Sequence, residues 1–203
     1  MEMKKFLEKL SSGTPTPGGG SASALTGALS ASLVAMVAGL SFKKGKIKQR
    51  GMVEIRRKAL NIQKRLLQAV DEDSKSFDAV IKAFRLPKDS EKGRLRRVIE
   101  IQKAYRNAIL TPRLVCERSL QLLAYSKILI LKGNPNAISD AGVAAFLADA
   151  AIAGGLLNIG INLVGVSEKN LAKKMNVLMR SLARKRNHLM KAILMKLIGT
   201  QQA

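Results

Sequence analysis

The sequence predicts an all-α protein, an antiparallel helical bundle with two buried small-residue helices, assembled as a homodimer. Three observations lead there. Apolar residues recur at spacings of three and four along nearly the whole chain, no alternating Val/Ile/Tyr segments occur, and two long stretches carry almost no charge. With 203 residues, 47% of them hydrophobic, the chain can bury one substantial core, and it reads as a single domain over residues 1–203 without internal repeats.

The elements follow in order. Residues 2–11 predict a short helix. "TPTPGGGSASA", Thr14 to Ala24, then sets two prolines and three consecutive glycines before a stretch with no charge until Lys43. The helix predicted over 20–42 is mostly Ala, Ser and Gly, with larger apolar residues only at Leu25, Leu29, Leu33, Val34, Met36, Val37 and Leu40. It is long enough to cross a bilayer. Yet the Pro-Gly turn separates it from the lysines of residues 1–5, unlike a signal peptide, and its small residues suit close helix–helix approach, so the expectation is a buried helix and no membrane. A long helix over 52–84 ends before Pro87. Asp89 or Ser90 can cap the next, to about 109, and Thr111 with Pro112 reads as the cap and first turn of another that Gly133 closes. After "GNPNAISD" comes the second small-residue helix, 137–164, and Ser167 can cap a last one running to about 198. Neither small-residue helix has a polar side to offer water. One chain of this length barely encloses two of them, which predicts the homodimer.

Composition limits the partners. Thirty-six Lys+Arg against fourteen Asp+Glu give +22, far more than solubility needs, so the surface attracts polyanions: nucleic acid, anionic membrane or a polycarboxylate ligand. The single cysteine, Cys116, cannot form an internal disulfide, and no CxxC or Cys/His cluster offers a metal site. A reducing, cytoplasmic location fits.

Chemistry needs a polar group where the pattern demands an apolar one. The inward stripe of the long helix runs Ile55, Ala59, Ile62, Leu66, Ala69, Asp73, Phe77, Val80, Phe84, which puts Asp73 on the core face. It is either a buried carboxylate that caps a neighbouring helix or pairs with a cation, or a functional acid or base. Asp140 begins the second small-residue helix. It shares a face with Ala144, Leu147, Ala151, Gly154 and Asn158, and serves either as partner of the helix dipole or as a site residue. Asn134 and Asn136 bracket Pro135 in a rigid turn ahead of it. Gly18, Gly19 and Gly20 bare backbone N–H groups at a helix start, which suits a carboxylate or phosphate; equally, they permit tight entry of the helix between close neighbours. The nucleotide-binding fingerprints fail here, because no Lys-Ser/Thr follows and no strand precedes.

The stretches "FLEKLSSGTPTPGGGSASALTGALSASLVAMV", "DEDSKSFDAVIKAF" with "LPK" after it, and "GNPNAISDAGVAA" followed by "LLNIGINL" resemble, in order and over essentially the whole chain, the cyclodeaminase/cyclohydrolase family. That family comprises the C-terminal domain of formiminotransferase-cyclodeaminase and stand-alone methenyltetrahydrofolate cyclohydrolases. The resemblance implies an all-helical homodimer acting on one-carbon derivatives of tetrahydrofolate, without metal or permanently bound cofactor. Where relatives commonly carry a "GKKKY"-like stretch, this chain has "GKIKQR" from Gly45, and an "NVRINL"-like stretch reads "NIGINL" from Asn158, without the arginine.

On that resemblance, the reaction passes through a tetrahedral intermediate beside a cationic, amidinium-like centre. A carboxylate can stabilise the cation and shuttle protons. Asp140 is the first candidate for this role and Asp73 the second. The turn Gly18, Gly19, Gly20, Ser21 and the lysines Lys43, Lys44 and Lys46 are candidates to hold the ligand's carboxylates, polyglutamate tails included, and Asn134 and Asn136 to bond a pterin edge. The hydrolysis of 5,10-methenyltetrahydrofolate to 10-formyltetrahydrofolate is expected, since no transferase segment accompanies the chain; the alternative is formimidoyltetrahydrofolate cyclodeaminase, releasing ammonia. A rival class is a basic nucleic-acid-binding protein. Residues 43–58 hold eight Lys/Arg, but 3% aromatic content leaves few stacking platforms for single strands.

Overall fold

The computed structural model describes residues 2–42 and 48–201. They form seven α-helices: α1 (Met3–Leu10), α2 (Gly19–Leu40), α3 (Lys48–Phe84), α4 (Glu91–Ala108), α5 (Leu110–Lys132), α6 (Ile138–Val164) and α7 (Lys169–Gln201), with a 3₁₀ turn at Pro135–Ala137 before α6. No strand occurs among the described residues. The all-α class read from the spacing of apolar residues is the class observed.

Helix α2 is the axis of the bundle and packs against α3, α5 and α6. Its small residues make this possible. A Cβ placed on Gly27 would meet Ser119 Oγ of α5 at 2.9 Å, Leu66 Cδ1 of α3 at 3.0 Å and Ala151 Cβ of α6 at 3.5 Å, so three helices converge on one missing side chain. Ala24, Ala31, Val34, Val37 and Ala38 are wholly buried along the same helix. Ser30 donates across the contact to Ala144 O at 2.7 Å, whereas the buried hydroxyls of Ser119 and Ser126 on α5 have no partner among the described residues. Gly19 approaches Asn158, Gly27 approaches Ala151 and Ser30 bonds Ala144, so α2 and α6 run antiparallel.

Helix α7 lies across α5 and α6, and Arg186 grips Asp149 of α6 with two N–H groups. Helix α4 covers the last turns of α3 through Val80, Ala83, Ile101, Ala104 and Ala108. Ser90 caps it, accepting from Gly93 N at 3.1 Å. Two expected caps are absent. Only Ile109, itself in helical conformation, separates α4 from α5, so Thr111 lies buried inside the first turn of α5 instead of capping it. There Pro112 is tolerated, because first-turn N–H groups have no helical partner. The Ser167 hydroxyl donates instead to Gln102 of α4 at 2.8 Å, tethering the α6–α7 connection.

Both apolar helices, α2 and the stretch Pro135–Val164, are long and apolar enough to cross a membrane by length and composition, and each is half buried or less over its most apolar window. The expectation that protein surrounds them on every side is therefore not met within one chain. Leu29, Met36 and Leu40 of α2 remain exposed beside Val53, Leu60 and Leu67 of α3, and Leu157, Ile161 and Val164 end α6 in the open.

The convergence at Gly27 makes a direct prediction. Gly27→Val forces the three neighbours apart and lowers stability by about 1–3 kcal/mol or more. Gly51→Ala, in an exposed turn of α3 with nothing within 4 Å of a new Cβ, raises it by about 0.5–1 kcal/mol. Chemical denaturation of the two variants checks both signs.

Candidate functional site

A cleft of about 720 Å³ opens between the entry turn of α2, the second half of α3, α4 and the C-terminal half of α6. The entry turn runs through Pro15 and a cis Thr16–Pro17 peptide to Gly18, an extended residue that starts α2 without any side-chain cap. Helix-start N–H groups thus face this region with their positive partial charge. Asp73 projects from α3 into the same corner. Ser21 Oγ lies 2.9 Å from Asp73 Oδ2 and 3.0 Å from Val70 O, one proton facing two acceptors. An ionised Asp73 can accept that proton. A protonated Asp73 can donate to Ser21 Oγ while Ser21 turns its proton to Val70 O, so both states of the carboxyl are satisfied.

Burial pushes the Asp73 carboxyl above the ordinary carboxylate range, and the Ser21 hydrogen bond opposes part of that rise. Gly20 explains how the carboxylate fits: a Cβ there would overlap it. On the floor, Asn158 donates to Gly154 O at 2.8 Å, and Asn162 donates to Asn158 O at 2.9 Å. Among the described residues neither Oδ1 has a partner, which leaves two acceptors at the cleft. Asn162 has a second task. Pro112 has no N–H to offer the carbonyl four residues before it, and Asn162 Nδ2 takes that place on Ala108 O at 3.2 Å.

The far wall is aromatic. Phe84 and Tyr105 meet edge to face with centroids 6.2 Å apart, and Arg97 stands over the Phe84 ring at 5.5 Å. Phe77 and Phe84, placed by the periodicity in the core stripe, are 38% and 43% exposed and line the cleft instead.

The candidates read from the sequence separate into two groups. Gly18, Gly19, Gly20, Ser21 and Asp73 come together here. Asn134, Asn136 and Asp140 stand at the other end of α2. Asn134 donates to Leu40 O and accepts from Asn136 N, so it is occupied in holding the turn that carries α6. Asp140 sits in the first turn of α6, eighteen residues before Asn158, roughly 27 Å along the helix. The two aspartates therefore do not share a site within one chain. Lys43, Lys44 and Lys46 lie outside the described residues. Tyr105, Asn158 and Asn162 were not among the candidates; two asparagines four apart in an otherwise apolar helix were the available signal.

Fold and cleft define an all-α protein with a pocket of the kind that takes a small molecule: apolar, aromatic-walled, fronted by bare backbone, with one partly desolvated carboxylate. The chain belongs to the formiminotransferase-cyclodeaminase family, whose pattern matches residues 2–181. The methenyltetrahydrofolate cyclohydrolase of Methylorubrum extorquens is 34% identical over 174 residues, covering 85% of this chain and 84% of that protein. The formimidoyltransferase-cyclodeaminase of Gallus gallus is 30% identical, but the matched region is only 31% of its length. The crystal structure of formiminotetrahydrofolate cyclodeaminase from Thermotoga maritima superposes with a TM-score of 0.88 at 26% identity, covering 98% of this chain and 97% of that one.

The raised pKa of Asp73 has a stability signature. The folded carboxyl binds its proton more tightly than the unfolded one, so its contribution is present at low pH and is lost as pH rises through the folded value. Asp73→Asn removes this dependence. The variant melts above wild type at pH 7, and the difference closes toward roughly pH 4, where the unfolded carboxyl also protonates; thermal melts across pH read it directly.

Proposed function

We propose that the chain is a folate one-carbon enzyme that hydrolyses 5,10-methenyltetrahydrofolate to 10-formyltetrahydrofolate, with Asp73 as its proton-transfer residue. The observation that carries this is the partly desolvated Asp73 carboxyl, supported by Ser21 at the polar corner of an otherwise apolar cleft. The near co-extensive match to a cyclohydrolase supports the choice of reaction.

The chemistry follows from that corner. Water adds to the bridging carbon of the methenyl cation, and Asp73 takes the proton released as the C–O bond forms. The tetrahedral intermediate then breaks one C–N bond, and the same proton is returned to the departing nitrogen. The hydroxyl proton is released to solvent as the C=O forms, and the formyl group stays on the other nitrogen, with one net proton set free per turnover. A carboxyl whose pKa lies above the usual range both takes and returns a proton near neutrality more readily than an exposed one. Ser21 accommodates each state without moving. The aromatic wall of Phe77, Phe84 and Tyr105 can cover the ligand's flat rings, and the Oδ1 atoms of Asn158 and Asn162 can accept from their N–H edges. The N-terminus of α2 suits a carboxylate.

A second reading, formimidoyltetrahydrofolate cyclodeaminase, is favoured by the Thermotoga maritima structure. It uses the same residue: Asp73 takes the proton from the attacking folate nitrogen and delivers it to the leaving ammonia. In both readings Asp140 is a dipole partner of α6 and plays no chemical part, which reverses the order in which the sequence ranked the two aspartates. We propose further that a second copy covers the exposed stripe of Leu29, Met36, Leu60 and Leu67, giving a homodimer in the cytoplasm.

Methenyl absorbance tests the reaction. Wild type accelerates its loss from methenyltetrahydrofolate over the uncatalysed rate, whereas its gain from formiminotetrahydrofolate identifies the deaminase. Asp73→Asn lowers turnover about a hundredfold or more at saturating substrate, while Asp140→Asn stays near wild type; the reverse pattern discards the assignment. Light scattering on Met36→Arg/Leu60→Arg is expected to give the mass of one chain, against two for wild type.

A further inference from the structure

We infer that a second pocket, between α3 and α5, is a binding site for a small phosphorylated molecule. It has a volume of about 570 Å³, and four cationic side chains reach it: Arg57, Lys58 and Arg65 from α3, and Arg118 from α5. The pocket shares no residue with the cleft above, so the inference does not rest on the folate reading.

The charges there are incompletely balanced. Glu54 alone serves two of the cations, taking both nitrogens of the Arg57 fork at 2.7 and 2.9 Å and Lys58 at 3.2 Å. That double contact holds its carboxyl down at about 2, so it stays ionised and spent on those two partners. Glu72 accepts from Arg65 Nη2 at 2.8 Å. Arg65 Nη1, in contrast, is buried with no partner. An N–H of a permanent cation shut away from acceptors is costly, and native structures rarely leave one unmatched. Arg118 bonds only a neutral acceptor, Gln121 Oε1, at 3.2 Å.

Two guanidinium groups without full carboxylate partners, from helices on opposite sides of one pocket, match an oxyanion that takes several N–H donors at once. Phosphate does so with tetrahedral oxygens and up to two charges, and arginine forks are the usual way of holding it. The pocket is wider than a bare phosphate needs. Tyr125 adds a ring and Asn61 an amide, surfaces for an organic remainder.

Inorganic pyrophosphate is the probe, titrated calorimetrically into the full chain at about 0.15 M sodium chloride, where diffuse surface attraction is screened. One equivalent per chain is expected to bind. Arg118→Met and Arg65→Met each weaken it tenfold or more, the scale of a lost charge-assisted bond. Lys173→Met, which removes the same charge from the exposed face of α7, leaves it unchanged. Arg118 is partly exposed, so its variant reports on the site even should Arg65→Met fail to fold. Absence of saturable binding overturns the proposal, as does equal weakening by Lys173→Met, which would mean diffuse charge. Dissociation of the wild-type oligomer by Arg118→Met overturns it too, because a carboxylate of a second copy would then occupy the pocket.

Discussion

Everything in this fold depends on how closely α2 approaches three helices at once. Gly27 sits where α3, α5 and α6 meet, and side chains larger than alanine or serine are scarce on the buried faces of the helix. Small residues bury little apolar area each, so the hydrophobic contribution comes from the neighbours, through Leu66, Leu122, Leu123 and Ile152, all fully buried. The close contact places backbone against backbone; Ser23 turns its hydroxyl to Gly19 O of its own helix, while other buried hydroxyls of α2 reach a carbonyl on the other side. Ser21 and Ser30 do so on α3 and α6 respectively. Position along the helix is thereby fixed as well as distance.

That fixed register puts Gly20 against Asp73. A carboxylate set into a half-buried corner costs stability, and the fold offsets the cost only partly, through one serine. That condition is what makes Asp73 the carboxylate of the proposed proton transfer. The corner also joins two helices distant in sequence, so the contact of Ser21 with Asp73 exists only through the packing of α2 on α3.

Periodicity made the helices legible, because the apolar spacing of three and four persists through every one of them. It also singled out Asp73, a charge on an apolar stripe. The same logic misplaced Phe77 and Phe84, since the wall of an apolar cleft and the interior of a core present identical patterns. Asp140 illustrates a different limit. A helical wheel shows which residues share a face, yet the neighbour that each turn of α6 meets is decided by the antiparallel pairing with α2, which has no local sequence signal. Asn134 and Asn136 were recognisable as turn residues, and that is how the structure uses them. The junction of α4 and α5 was unreadable, because Thr111-Pro112 has the composition of a helix start whether or not the preceding helix has ended.

That junction has a mechanical consequence. With a single residue between α4 and α5, and with Asn162 of α6 bonded to the carbonyl that Pro112 leaves open, the corner is a braced elbow and not a free hinge. Tyr105 and Ala108 ride on its outer arm, while Cys116 on the inner arm is wedged against Gly155. The aromatic wall and the asparagine at the cleft floor are therefore mechanically joined. Gln102 on the same arm bonds Gly165 O and Ser167, so the span between the aromatic wall and the cleft floor is set by several ties between α4 and the end of α6.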